Sequence, residues 1–567
     1  MNTALSFNTL TEPVIARAET DPGATTLIFI PEQGPNETIT AAEFHARAGA
    51  YAQALRAIGV QSEDLVILVL RHSQELLFGF WGALYLGAIA SIFPFLTEKL
   101  DPQIYKERVR ELVAHSQAKA VITFPEFKPE LSQLLASAGC QVLSTADIPQ
   151  HPGQPAHDRP AAFDPDKIAF LQHSSGTTGL QKGVALSHRS VLNQVRSYSQ
   201  AIRLTSVDKI VSWLPLYHDM GLIAGFVMPI VAGVPLVLMS PFHWVRSPRL
   251  LFQAIHEHRA TLCWLPNFAY NHSVRGISQR AQAGLDLSSL RAWINCSEPV
   301  RYDSHQIFLE RFTPNGVLPQ SLQTCYAMAE NTFAVTQSPL GEIPHVDWVE
   351  IRSLQEERRA VPMASGAPGA TPMVSCGFPI QGTEVGVVDE AWNRLPERTV
   401  GEIIVHSDCM LSGYYRRPDL SQQSIRDGWY LTGDMGYMAD RELYITGRKK
   451  DLIIVGGKNV YPQDLEAIAN TIPGVYPGRT VAFGINDPSL GSESIVLVCE
   501  LEGDQSHPDE RRLIEQELRQ RVIQQTEVTL GDVRLVDRRW LIKTSSGKIA
   551  RSANRDKYLA EFNLGSA

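Results

Sequence analysis

The densest concentration of chemistry-bearing residues is Leu171-Gln-His-Ser-Ser-Gly-Thr-Thr-Gly-Leu-Gln-Lys-Gly183, directly behind the apolar run Ile168-Ala-Phe-Leu171. Ser174, Ser175, Thr177 and Thr178 bring hydroxyl donors and Lys182 a full positive charge. Gly176, Gly179 and Gly183 let the backbone bend close to an anion, so that main-chain N–H groups point inward. These are the parts of a polyphosphate cradle. The alternative is a flexible Ser/Thr/Gly linker, which fits poorly with a strand before the loop, a lysine at its end and a helix-forming stretch over 188–202. A Walker loop is excluded, because that pattern needs Gly-Lys followed by Ser or Thr and Lys182 is followed by Gly183.

The surrounding elements read as α/β. Thr40 and Glu43 form a capping box opening a helix with Phe44, Tyr51, Leu55 and Ile58 at helical spacing and Gly59 at its end. The apolar run 65–70, a helix over 75–87 and a strand over 88–93 follow. After a Pro- and His-containing loop the alternation resumes, with strands over 168–171, 209–213, 236–239, 261–265 and 291–295 and a helix over 248–258. Short continuous apolar runs of this kind suit strands buried on both faces. The turn-dense stretch 343–370 reads as a loop. Shorter strands over 384–388, 402–406 and 442–446 suggest a β-rich subdomain. Gly447-Arg-Lys-Lys-Asp451 breaks the pattern with charge, and beyond it come strands over 452–455, 481–484 and 495–501 and helices over 462–471 and 508–525, a small α+β unit. The expected boundary is Lys450, giving domains 1–449 and 450–567.

Composition narrows the function. A chain of 567 residues with 44% hydrophobic and 20% charged residues is an ordinary multidomain globular protein. Its net charge of −9 offers no basic stripe for nucleic acid. Seven scattered cysteines without a CxxC pair suggest neither a disulfide framework nor structural zinc, and a reducing cytoplasm. No signal peptide is expected. The uncharged segment 76–96 has the length of a membrane span, but its glycines and Pro94 favour a buried helix followed by a strand.

Further motifs follow the loop in order: Leu214-Pro-Leu-Tyr-His-Asp-Met-Gly-Leu222, Asn295-Cys-Ser-Glu-Pro-Val-Arg301, Tyr326-Ala-Met-Ala-Glu330, Tyr430-Leu-Thr-Gly-Asp434, Gly447-Arg448 and Lys543-Thr-Ser-Ser-Gly-Lys-Ile549. Alone, each has a bland reading: a packed histidine, a solvated glutamate, a charged face, a lysine on a flexible loop. As an ordered set they resemble the adenylate-forming superfamily of acyl- and aryl-CoA ligases, luciferases and adenylation domains. His218-Asp-Met-Gly-Leu222, Pro266-Asn-Phe-Ala-Tyr270, Ser297-Glu-Pro-Val-Arg301 and Tyr461-Pro-Gln-Asp-Leu-Glu466 are similar to its fatty acyl-AMP ligase branch.

The resemblance implies a large N-terminal adenylate-forming domain of α/β sheets with a β-rich subdomain, and a small mobile α+β C-terminal domain. It implies that Ser174, Ser175, Gly176, Thr177, Thr178, Gly179 and Lys182 hold ATP phosphates, that His218 borders the acyl pocket, and that Ser297, Glu298 and Pro299 lie along the adenine. Tyr326, with Ala327 and Met328 beside it, would stack on the base, and Glu330 would hold Mg2+. Ala327 and Ala329 stand where the family's motif has glycine and threonine. Asp434 would hold the ribose, Arg448 would reach the ribose or phosphate, Lys450 would be the hinge and Lys548 the lysine that swings into the site. Residues of about 348–370 would be the branch's insertion, restraining the C-terminal domain and disfavouring CoA. Cys263-Trp264-Leu265 is bulkier than the branch's usual glycines. The implied reaction is ATP-dependent activation of a fatty acid to acyl-AMP, then transfer to the phosphopantetheine thiol of an acyl carrier protein supplied in trans. The alternatives are a fatty acyl-CoA ligase and a non-catalytic acyl- or nucleotide-binding module.

Overall fold

The computed structural model describes residues 7–96, 102–149, 164–174, 182–455, 458–487, 492–503, 508–526, 528–544 and 547–562. The chain forms two compact units, and each takes up separate stretches of sequence. The first comprises Met1–Pro344, Gly377–Glu384 and His406–Gly428; the second comprises His345–Cys376, Val385–Val405 and Trp429–Ala567.

The first unit holds two sheets. One is seven-stranded, in the order Gly413–Tyr414, Lys182–Ser187, Ile168–Ser174, Ile89–Ile92, Leu65–Leu68, Ala120–Thr123, Gln141–Ser144. Its last five strands are parallel, and its first two antiparallel strands carry the end of the glycine-rich loop. The other is nine-stranded, with a parallel centre over Ala292–Asn295, Leu262–Leu265, Ile210–Ser212, Leu236–Met239 and Thr25–Ile30. The apolar runs read from the sequence are buried along their whole length in these strands. That is what a parallel strand covered on both faces requires. The Thr40–Glu43 capping box closes as expected on the helix Ala41–Ala57.

Segment 76–96 is a buried helix, Gln74–Tyr85, followed by the strand Ile89–Ile92. Among the described residues no helix is long and apolar enough to cross a membrane.

In the second unit the stretch expected as a loop over 343–370 is largely structured. Val346–Glu350 pairs antiparallel with Ala370–Val374, and the helix Ile351–Glu356 lies between them. Charge concealed the strand: Asp347 is buried because the Arg398 guanidinium and the Tyr437 hydroxyl donate to its carboxylate, at 2.9 and 2.8 Å. Val349, Leu354 and Ala360 pack into a core with Tyr437, Tyr444 and Tyr461. The strand Trp429–Ala439 was also missed, because Thr432, Gly433, Asp434 and Gly436 read as turn residues. It is held from both sides, by Gly401–Ser407 and Glu442–Arg448. Gly436 is required there, since a Cβ would stand 2.3 Å from the Tyr444 carbonyl oxygen.

The C-terminal part of this unit is a three-stranded sheet of Val475–Asp487, Ser492–Leu501 and Leu530–Val536. Strand alternation builds two layers. Ala482, Leu497 and Cys499 face the helices Pro462–Ala469 and Pro508–Thr526, whereas Val481, Phe483, Val496 and Val498 pack with Tyr558 of the helix Arg551–Phe562.

Candidate functional site

In the first unit, Ile168–Ser174 and Lys182–Ser187 are antiparallel neighbours, with Ser174 opposite Lys182 at the mouth of the loop. Ser175, Gly176, Thr177, Thr178 and Gly179 lie outside the described residues, and Ser174 is described by its backbone. The Lys182 ammonium stands 5.0 Å from the centre of the Tyr414 ring. That contact follows from register, because Tyr414 pairs with Val184 and shares its face of the sheet with Lys182. The Tyr414 hydroxyl in turn donates to Glu330 Oε1 at 2.9 Å. The sheet edge thus brings Lys182 and Glu330 onto one phenol.

Backbone bonds hold this junction. Ser412 and Tyr415 donate to the Ala185 and Gly183 carbonyls at 2.9 and 2.8 Å, and Leu411 donates to the Glu330 carbonyl at 2.8 Å. Glu330 sits in a single tight turn, Ala329–Asn331, which ends in Thr332 at φ 64°. A β-branched residue is rarely left-handed, and here the buried Thr332 hydroxyl is anchored on the Cys409 carbonyl at 2.7 Å. Tyr326 is buried at the end of the strand Leu322–Ala327, with Ala327 and Met328 half-buried after it.

His218 is half-buried, its ring edge-on to Tyr217 at 4.7 Å. Burial pushes the Tyr217 phenol up to about 12, so it remains a neutral donor. The chain doubles back here so tightly that a Cβ at Gly221 would meet the Pro215 carbonyl oxygen at 2.2 Å. The Asp219 carboxylate then accepts from the Met220 N–H at 2.8 Å and starts the π-helix Met220–Val227, a wide winding that is frequent at functional sites. Met220 Sδ lies 3.8 Å from Ser297 Oγ, which joins this motif to the next. Ser297 is itself left-handed, at φ 68°. Pro299 is exposed. The Glu298 carboxylate accepts from the Phe268 N–H at 2.9 Å, in the first turn of the helix Asn267–Gly276, where a negative charge offsets unpaired N–H groups.

In the second unit, Asp434 and Arg448 face each other across the hairpin, and Arg448 Nε donates to Asp434 Oδ1 at 3.0 Å. Gly433, left-handed at φ 70°, donates to Glu402 at 3.2 Å, and Asp434 N–H donates to the Thr432 hydroxyl at 3.0 Å. Lys450 is exposed within the short turn Lys449–Asp451. Lys548 is exposed on a narrow loop closed by the Lys543/Ile549 bridge, and its carbonyl accepts from the Thr544 N–H at 2.8 Å.

The family model described as AMP-binding enzyme matches residues 14–415. The chain belongs to this family. A long-chain-fatty-acid–AMP ligase of Mycobacterium marinum is 30% identical, with 96% of this chain and 97% of the relative covered. A medium-chain-fatty-acid–[acyl-carrier-protein] ligase of Moorena producens is 30% identical over 88% of this chain and 86% of its own. A structure from a study of fatty acyl-adenylate ligases from E. coli and L. pneumophila superposes with a TM-score of 0.90 at 28% identity, covering 99% of each chain.

As an AMP-binding enzyme, the chain has two residue groups that sequence reading left out. Tyr414 lies in Gly413-Tyr-Tyr415, which carries no polar or glycine signature beyond one Gly, so only strand register reveals it. Arg551 anchors Asp451 and Glu466, each at 2.7 Å, just beyond Lys450. Burial disfavours its charge, but the two carboxylates outweigh burial and raise its pKa.

Proposed function

We propose that this chain activates a fatty acid as acyl-AMP and passes the acyl group to the phosphopantetheine thiol of a carrier protein acting in trans. In the first half-reaction a carboxylate oxygen attacks the α-phosphorus of ATP, the bond from that phosphorus to the α,β-bridging oxygen breaks, and pyrophosphate leaves. In the second, the thiolate attacks the acyl carbonyl and AMP leaves. Such chemistry depends on positioning and charge stabilisation more than on covalent help. Lys182 and the preceding loop hold the outer phosphates, Tyr326 and the 297–299 segment hold the base, Asp434 and Arg448 hold the ribose, and His218 borders the acyl group. Lys548 stabilises charge at the α-phosphate, and rotation about Lys450 withdraws it before thiol attack. This division at Lys450 is one of motion; Asp451, tied to Arg551, supports it as the first firmly anchored residue past the hinge.

The residues fit a magnesium ion that arrives with the nucleotide. Mg2+ is commonly bound by one or two carboxylates together with substrate phosphates, and Glu330 supplies one carboxylate beside the Lys182 strand. Among the described residues no group of three or more His, Cys, Asp or Glu forms a cage for a metal. When bound, the ion would neutralise phosphate charge. Seven buried cysteines, none of them in a disulfide, support a reducing, cytoplasmic setting.

The observation that carries carrier protein over CoA as acceptor is the packing of Val349, Leu354 and Ala360 against Tyr461. The 346–374 segment is thereby built into the same core as the first residues of the C-terminal domain, as a restraint on rotation requires. The test is mass spectrometry of purified protein with ATP, Mg2+, mixed medium- and long-chain fatty acids, and either CoA or a phosphopantetheinylated carrier. Acyl-AMP and acyl-carrier with CoA untouched is the expected result; ready acyl-CoA formation would make the chain a CoA ligase.

A further inference from the structure

We propose that Tyr414 is a positioning residue of the adenylation step, setting the Glu330 carboxylate and the Lys182 ammonium at one fixed spacing. The inference rests on the reading of Glu330 as the metal carboxylate and of Lys182 as a phosphate ligand.

The geometry that points to it is an excursion of the chain. Residues 406–428 leave the second unit's stretch of sequence and fold into the first unit. There the segment stitches together two elements far apart in sequence. One side bonds to the strand Lys182–Ser187, through Ser412 and Tyr415. The other bonds to the Glu330 turn, through the Leu411 N–H and the Cys409 carbonyl. Between these backbone ties Tyr414 is 4% exposed, with its hydroxyl on Glu330 and its ring beneath Lys182.

A phenol suits both tasks. Its O–H donates to a carboxylate and so restricts the carboxylate's orientation without adding charge, while the electron-rich ring face attracts an ammonium without neutralising it. A carboxylate in its place would quench Lys182, and a lysine would compete with the metal. Magnesium and the phosphates must meet at one distance, so a side chain that touches both of their protein ligands fixes that distance in advance. The bland reading is a buried tyrosine whose hydroxyl has found an acceptor. That reading predicts a change in stability alone.

The discriminating experiment measures Mn2+ binding by electron paramagnetic resonance in the presence of α,β-methylene-ATP, alongside analogue affinity without divalent ion and thermal melting. Tyr414→Phe keeps the ring and every backbone tie. It is expected to weaken Mn2+ binding about tenfold, as loss of a hydrogen bond to a charged group does, and to leave metal-free analogue affinity unchanged. Tyr414→Leu also removes the ring and is expected to weaken metal-free analogue binding. In a Glu330→Gln background Tyr414→Phe is expected to add nothing, because the hydroxyl acts through that carboxylate.

Wild-type Mn2+ affinity in Tyr414→Phe would overturn the proposal, as would an equal loss with and without Glu330. If wild type and Glu330→Gln bind Mn2+ alike, the reading of Glu330 fails and takes the proposal with it. If those two differ and Tyr414→Phe matches wild type, the proposal alone fails.

Discussion

Arg448 Nε donates to Asp434 Oδ1 at 3.0 Å, straight across a pair of antiparallel strands. The two motifs are separate in sequence, and the hairpin turn between them makes them a single feature. The Asp434 side chain is 12% exposed, and Arg448 at 54% reaches out beside it. A carboxylate oriented by a guanidinium has the acceptor capacity to take bonds from two vicinal hydroxyls as well, since its two oxygens offer about four lone-pair sites. Asp434→Ala is therefore expected to raise the KM for ATP at least tenfold, since hydrogen bonds to a charged group contribute about 1.5–3 kcal/mol. It is also expected to abolish the preference for ATP over 2′,3′-dideoxy-ATP. Steady-state pyrophosphate release with both nucleotides checks this; an undiminished preference would remove Asp434 from the ribose site.

Lys548 is presented to solvent by a loop whose backbone is closed on itself. A side chain held that way is available for a transient contact without contributing to packing. Lys548→Ala is expected to lower acyl-AMP formation by about 10²- to 10³-fold, the usual cost of losing a donor aimed at transition-state charge. Transfer from preformed acyl-AMP to the carrier thiol is expected to be retained, with thermal stability unchanged. Measuring the two half-reactions separately decides it.

How far the fold and site could be read from the sequence depended on what each residue's partner was. The parallel strands were legible because burial on both faces leaves an uninterrupted apolar run, as at Leu236–Met239 and Leu262–Leu265. The Thr40 cap was legible because its partner is three residues away. Trp429–Ala439 was not, since Gly436 serves close strand contact, Gly433 takes a positive φ and Asp434 bonds Arg448 across the hairpin, and each of these residue types mimics a loop. Asp347 looked solvated because its partners, Arg398 and Tyr437, lie far along the chain. Tyr414 remained hidden for the same reason: a tyrosine's partners are set by register between distant strands. Glu298 shows the converse, a residue whose motif suggests nucleotide contact and whose carboxylate meets a helix N-terminus.

Leu354 is 5% exposed and sits in the core shared with Tyr461. Leu354→Asp would bury an unpaired charge, so the helix Ile351–Glu356 is expected to detach. If this segment restrains the C-terminal domain, the variant gains acyl-CoA formation while acyl-AMP formation holds within about threefold, since no nucleotide contact is assigned to this helix. Product analysis with CoA as the sole thiol gives the answer. Loss of acyl-AMP formation with no acyl-CoA would mean that the segment supports the fold and does not restrain rotation.

Three histidines, His188 and His305 buried and His72 half-buried, set an acid limit on stability. Burial pushes His72 down to about 3, and His188 and His305 down to about 4. For His305 the hydrogen bonds explain why the neutral ring is demanded. The Arg301 N–H can only donate, so the Asn267 atom facing it at 3.0 Å is Oδ1. The Asn295 atom on that same oxygen is then Nδ2, and it also donates to His305 Nε2 at 3.0 Å. That nitrogen must be bare, and protonation would set two donors against each other beside the 297–299 segment. In the unfolded chain the same imidazoles protonate near 6.5. Between that pH and about 4 the unfolded state therefore binds more protons, and stability falls as the solution is acidified, by about 1.4 kcal/mol per pH unit for each ring. His305→Gln, which keeps an amide acceptor for Asn295, is expected to reduce this slope between pH 6 and 5 by about one proton. Denaturant titrations across that range, following the transition of the first unit, supply the measurement; an unchanged slope would mean that His305 is protonated in the native state without penalty.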